Sequence, residues 1–141
     1  MDGITLSPLK QIENPKGDIY HALKKSDDSY SEFGEAYFTT VNNNDIKGWK
    51  KHTQMVLNLI VPVGEIEFVI YDDREHSLTK GDFFSVKLSQ MNYQRLTVAS
   101  GLWVAFKGCS ETLNLLLNIA SIEHDPSESM GRELKDISYE W

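Results

Sequence analysis

The sequence predicts an all-β domain, an antiparallel sandwich or closed barrel, on three observations. Its apolar runs are short and rich in Val and Ile, as in LNLIVPV and EIEFVIY. Gly-containing or charged breaks separate them. Turn signals recur about every 8–12 residues, the spacing of consecutive short strands rather than of long helices.

Taken in order, residues 4–12 partly alternate, which fits a short edge strand interrupted by Pro8. Asn14, Pro15, Lys16 and Gly17 form a turn signal, and residues 18–25 read as a short strand or one helical turn, with a strand preferred. A polar loop over 26–31 precedes an aromatic, β-branched strand over 33–41. Asn42 to Asp45 tolerate left-handed backbone and mark a turn. Strands follow over 46–52 and 54–62, with a break at Val63 and Gly64. Residues 65–71 alternate and then turn fully apolar, so one end is half exposed and the other buried. A polar loop over 72–81 leads to strands at 82–88, 94–98 and 102–106, with turns at 89–92 and 100–101. The apolar stretch 112–122 suits a helix or a strand pairing back onto the barrel. The charged tail from Glu123 reads as a loop with a short C-terminal helix. The whole chain, 1–141, is expected to form one domain: N-terminal strands over 1–30, a barrel core over 31–122 and a tail over 123–141.

Composition narrows the function. A hydrophobic fraction of 40% with 25% charged residues is ordinary for a folded domain. The net charge of −7 argues against a nucleic-acid-binding surface, while leaving room for a local basic pocket. Cys109 is the single cysteine, which excludes an internal disulfide and points to a reducing compartment. Without a signal-peptide core or a long apolar run, a soluble cytoplasmic protein with no membrane partner is expected.

The series Gly64-Glu65-Ile66, Asp72-Asp73-Arg74, Ser77, Thr79, Gly81, Leu88-Ser89, Asn92, Leu96-Thr97-Val98, Gly101 and Phe106 runs in register without a gap. It resembles the dTDP-4-dehydrorhamnose 3,5-epimerase family, whose pattern is G-E-V, D-x-R-x-x-S-x-T-x-G, L-S-x-x-N and L-x-[IV]-x-x-G. Phe33-Gly34-Glu35 and Lys47-Gly48 are similar to the family's F-x-E strand and Arg-Gly pair. The resemblance implies a cupin jelly roll, a homodimer, a nucleotide-sugar ligand, and neither cofactor nor metal. It also exposes departures. The family's base, the His of R-G-x-H, falls on Lys50, and the Gln two residues later becomes His52. The His of G-F-A-H-G-F falls on Val104, and the family's tyrosine acid falls near Leu117. The dTDP-sugar 3,4-ketoisomerases carry R-G-x-H-x-H, of which this chain keeps the second His, at His52, and not the first.

Epimerisation beside a keto group requires a base for a C–H proton and a donor for the enolate. Residues two apart on a strand face one way, so Lys50 and His52 project together, into the barrel or into solvent. His52 carries an imidazole nitrogen that can take a proton. Lys50 serves as a base if its pKa is lowered, and otherwise holds an enolate or phosphate as a cation. Tyr93 is the tyrosine assigned as proton donor, with Tyr37 and Tyr71 as alternatives, although such aromatics also serve as packing. Arg74 either forks onto phosphate or pairs with Asp72. Lys47 keeps the charge of the family's phosphate-binding arginine without its fork. Glu35 orients a sugar hydroxyl or pairs with a lysine. Trp103 stacks on a ring or packs in the core, and Asn92 is assigned to ligand contact. No H-x-H with a downstream Glu and His occurs, which argues against a metal cupin centre. The expected activity is epimerisation or isomerisation of a dTDP-4-keto-6-deoxyhexose by proton abstraction. The alternatives are a catalytically degenerate cupin that binds a nucleotide sugar, and a 3,4-ketoisomerase.

Overall fold

Alternation along the strands sorts the side chains into an interior and two outer surfaces. The computed structural model describes residues 1–141. Its strands are β1 (Ile4–Pro8), β2 (Gln11–Ile12), β3 (Ile19–Tyr20), β4 (Glu35–Thr40), β5 (Ile46–His52) and β6 (Leu57–Val63). They continue as β7 (Glu65–Tyr71), β8 (Phe83–Ser89), β9 (Gln94–Val98), β10 (Trp103–Gly108), β11 (Leu115–Ala120) and β12 (Ser129–Gly131). One sheet has the order β1-β9-β6-β11-β4 and the other β12-β5-β10-β7-β8, while β2 and β3 form a separate small hairpin. Non-sequential neighbours in both sheets, all antiparallel, are the mark of a jelly roll.

The core lies between the sheets. Leu57, Leu59 and Val61 of β6 and Leu96 and Val98 of β9 meet Ile66, Phe68 and Ile70 of β7. The fully apolar end of β7 is explained by its second face, because Val69 also disappears beneath the C-terminal tail. There Trp49, Trp103, Ala105 and Ile137 form a second cluster, with Tyr139 and Trp141 against it. Trp49 Nε1 donates to the carbonyl of Ile137 at 3.2 Å, fixing the tail to the sheet. Gly64 makes the turn from β6 to β7 with φ +79°. A Cβ there would lie 2.2 Å from the Leu113 carbonyl oxygen, so only glycine fits.

Several boundaries differ from the sequence reading. The stretch 112–122 is the strand alternative, because Leu116, Asn118 and Ala120 are buried while Leu115, Leu117 and Ile119 are half-buried, a period of two. Of 18–25, only Ile19–Tyr20 pairs as strand. The short helical segment expected in the tail takes the form of two 3-10 turns, Pro126–Glu128 and Leu134–Asp136, with β12 between them. Hydrogen bonds to β5 and packing on Trp49 replace the intrahelical bonds of a helix. No helix is long and apolar enough to cross a membrane.

Candidate active site

One end of the sandwich is not filled by the core, and a cavity of about 240 Å³ opens between the sheets. Tyr37 and Thr39 of β4, Asn118 of β11 and the apolar Leu57, Leu59 and Leu116 line one wall. Lys47, Gly48, Lys50 and His52 of β5, with Val104 and Phe106 of β10, line the other.

The side chains of β5 reach this cavity by an irregularity. Val104 pairs with Lys50 but Phe106 with Lys47, so three steps on β5 match two on β10. The extra residue is a β-bulge at the Gly48 stretch. Strict alternation would send Lys47 and Lys50 to opposite faces; the bulge brings both inward with His52. Trp49 and Lys51 point to the outer surface, where Lys51 Nζ donates to Asp73 at 2.9 Å.

His52 is the cavity's buried titratable group, 8% exposed. Its Nδ1 engages Oε1 of Glu128, which is 4% exposed and reaches it because β12 pairs Ser129 with His52. The other Glu128 oxygen accepts from the backbone N–H groups of Gln54 and Met55 at 3.2 Å each. Burial alone would raise the Glu128 pKa; the hydrogen bonds from His52, Gln54 and Met55 overcome it and hold the carboxyl below its usual value. With Nδ1 committed, Nε2 is the nitrogen left to the cavity, the arrangement in which a carboxylate orients an imidazole for proton transfer.

Two cations share the space. Lys47 Nζ donates to Thr39 Oγ1 at 3.0 Å, and neither Lys47 nor Lys50 is in an ion pair. Across from them, Asn118 Nδ2 donates to the Tyr37 hydroxyl at 2.9 Å, following the direct pairing of Asn118 with Tyr37 between β11 and β4.

Of the residues assigned from sequence, Lys47, Lys50 and His52 are brought together, with Tyr37 from the alternative donors, and the rest stand elsewhere. Arg74 is not free for phosphate. Its Nε and Nη2 donate to Asp72 at 2.9 and 2.8 Å, and Nη2 donates to the Asp2 carbonyl at 2.7 Å. Ser77 and Thr79 hydroxyls also donate to Asp72, which is fully buried. The D-x-R-x-x-S-x-T run is thus a loop staple. The Arg74 hydrogen bond, outweighing burial, holds the Asp72 carboxyl far below the ordinary carboxylate range. Arg74→Ala is expected to lower stability by about 2–3 kcal/mol by stranding this carboxylate, without weakening ligand binding. Chemical denaturation and calorimetric binding check the two halves separately.

Tyr93 is buried away from the cavity, its hydroxyl donating to the His21 carbonyl at 2.8 Å. Burial pushes its phenol up, the wrong direction for an acid near neutrality. Asn92 closes the turn between β8 and β9, where its Nδ2 donates to the Lys87 carbonyl at 2.7 Å. Trp103 faces the outer cluster, with Nε1 donating to Asp73 at 2.8 Å, because its neighbour Val104 takes the inward position. Glu35 begins β4, two residues before Tyr37 on the same face, but outside the cavity lining. Sequence reasoning missed Glu128 and Asn118 altogether and placed Tyr37 only among the alternatives. Glu128 lies 76 residues from His52 in a charged tail, and nothing in its neighbours marks it out.

A second cleft, of about 340 Å³, lies on the outer face of β1 and β9. There the buried Arg95 donates to the Ala22 carbonyl at 2.7 Å, Asp27 at 3.2 Å and the Ser29 hydroxyl at 2.7 Å, pinning the long loop before β4. No group of three or more His, Cys, Asp and Glu side chains is gathered as a metal site.

No family model matches the chain. A dTDP sugar isomerase from Desulfovibrio desulfuricans G20 superposes with a TM-score of 0.91 and 36% identity, over 94% of this chain and 85% of that one. The chain belongs to the dTDP-4-dehydrorhamnose 3,5-epimerase-like cupin family. A curated relative of the family, the probable low-salt glycan biosynthesis epimerase Agl13 of Haloferax volcanii, is 24% identical over 86% of this chain and 80% of its own length. The dTDP-4-dehydrorhamnose 3,5-epimerase of Sulfolobus tokodaii shares the fold, with a TM-score of 0.86 at 18% identity over 99% of this chain and 82% of that one. In this chain the cup is lined on the β5 and β10 side by Lys47, Lys50, His52, Val104 and Phe106.

Proposed function

We propose that the cup is the active site of an epimerase or isomerase for a dTDP-linked 4-keto-6-deoxyhexose. The observation that carries this reading is the buried His52–Glu128 pair opening onto a cavity with two lysines outside any ion pair. His52 Nε2 takes the proton from the carbon beside the keto group, and the C–H electron pair moves to the carbonyl oxygen as an enolate. Lys50, two residues away on the same face, holds that negative oxygen. Tyr37 stands on the opposite sheet, so its hydroxyl delivers a proton to the other face of the carbon as the carbonyl re-forms. The imidazolium and phenolate then exchange protons with solvent, closing the cycle. Lys47, nearest the start of β5, meets the diphosphate.

Incubation with a dTDP-4-keto-6-deoxyhexose in heavy water tests this directly by NMR. Deuterium at a carbon flanking the keto group is expected. Binding without exchange supports the degenerate, binding-only cupin instead. A 3,4-ketoisomerase is the second reading, favoured by the base standing at the second His position of R-G-x-H-x-H. One base on one wall suffices to move a proton between adjacent carbons, and migration of the keto group in the same spectra identifies that outcome.

The assembly we infer is a homodimer through the outer face of β4 and β11. Phe38 is 64% exposed there beside Leu117, and Ile119 lies along the same face. Light scattering is expected to give about twice 16.1 kDa, and Phe38→Glu to give the monomer.

A further inference from the structure

Asn118 is a buried amide, 3% exposed, in the wall of an active-site cavity, and one of its two polar ends has no partner. Its Nδ2 donates to the Tyr37 hydroxyl at 2.9 Å, while Oδ1 is buried without a hydrogen bond. An unmatched buried acceptor destabilises a fold, and Leu of similar volume would avoid the penalty. The direction of the single bond gives it a chemical meaning. An amide that donates to a phenol occupies an oxygen lone pair and leaves the O–H free to point into the cavity. The same contact stabilises the phenolate that remains once the proton has gone.

We propose that Asn118 is a positioning residue that sets Tyr37 as the proton donor of the reaction, an inference that rests on the proton-transfer reading above. The family's tyrosine acid falls near Leu117 of β11, but Leu117 points to the outer surface. Its inward neighbour on that strand is Asn118, and the residue paired with Asn118 is Tyr37 on β4. The hydroxyl is therefore supplied from the next strand, with the amide beside it. The charged groups sharing the cavity act in the same direction. Lys47 and Lys50 face Tyr37 from β5, and His52, once it has taken the substrate proton, balances the Glu128 charge it contacts. Leu57 and Leu59 of β6, Leu116 of β11, and Val104 and Phe106 of β10 are apolar, leaving Glu35 on β4 itself as the opposing charge. In the step, the Tyr37 O–H bond breaks as the new C–H bond forms, and Asn118 Nδ2–H and the lysines hold the phenolate until solvent reprotonates it.

The test uses Asn118→Asp and Asn118→Leu in protein labelled at tyrosine Cζ, with Tyr37→Phe identifying the resonance. Asp reverses the contact, because a carboxylate accepts from the phenol. The Tyr37 Cζ signal of the free Asn118→Asp protein is expected to move downfield at neutral pH. In turnover, kcat of both variants is expected to fall roughly tenfold with KM little changed, and the alkaline limb of kcat/KM in Asn118→Asp to move up by about one pH unit. An unmoved Cζ signal, or a kcat equal to wild type in Asn118→Leu when Tyr37→Phe is inactive, overturns the proposal. If Asn118→Asp does not fold, Asn118→Leu decides by its kcat and by the loss of the wild-type Cζ shift. The Cζ readout needs no substrate, so a failure of the contact is distinguished from a failure of the proposed reaction.

Discussion

His52→Asn is expected to slow deuterium uptake beside the keto group by about 10²–10⁴-fold, the usual contribution of a positioned general base. Asn fills most of the imidazole volume and can still donate to Glu128, so the fold is expected to survive and nucleotide binding to stay within a few fold. The split matters: a loss of binding that matched the loss of exchange would make His52 a ligand contact rather than the base. Lys50→Met is the companion. It keeps the stem and removes the charge, and its loss is expected in kcat, because an enolate exists only during reaction.

Glu128→Ala is expected to have the largest effect on stability. It strands the Nδ1 of His52 and the N–H groups of Gln54 and Met55, each of which now bonds a Glu128 oxygen. Breaking a buried pair by removing one partner costs about 3 kcal/mol, and the melting temperature should fall by about 10 °C in calorimetry. The pH dependence has a definite sign. The folded carboxyl is held below its usual value, so its contribution is present above the ordinary glutamate range and lost as pH falls through the folded value. The gap between wild type and Glu128→Ala should therefore narrow on acidification, and a gap that widened in acid would contradict the assignment.

The cup itself was legible because period-two patterning and turn chemistry are local. The alternation in β7 and the Asn, Gly and Ser turns each follow from a few neighbouring residues, whereas the nearly uniform apolar run of β11 left helix and strand open. That Lys50 and His52 share a face followed from parity on β5, but which surface that face meets, and that Lys47 joins them, did not, since a bulge is set by the pairing with β10. Arg74 shows the opposite failure. Its motif was visible, yet whether the guanidinium meets phosphate or Asp72 depends on loop closure that spacing does not encode. Trp103 and Val104 illustrate how one residue of register decides which surface a side chain serves. Glu128 was invisible because its role arises from a tertiary pairing of the tail with β5.

The most direct measurement of the central claim is a structure of the protein with a bound dTDP-4-keto sugar or its stable 4-hydroxy analogue. The reacting carbon is expected about 3–3.5 Å from His52 Nε2, with the 4-oxygen toward Lys50 and the diphosphate toward Lys47. A ligand seated instead in the Arg95 cleft or at Arg74, or a sugar turned away from His52 within the cup, would contradict it.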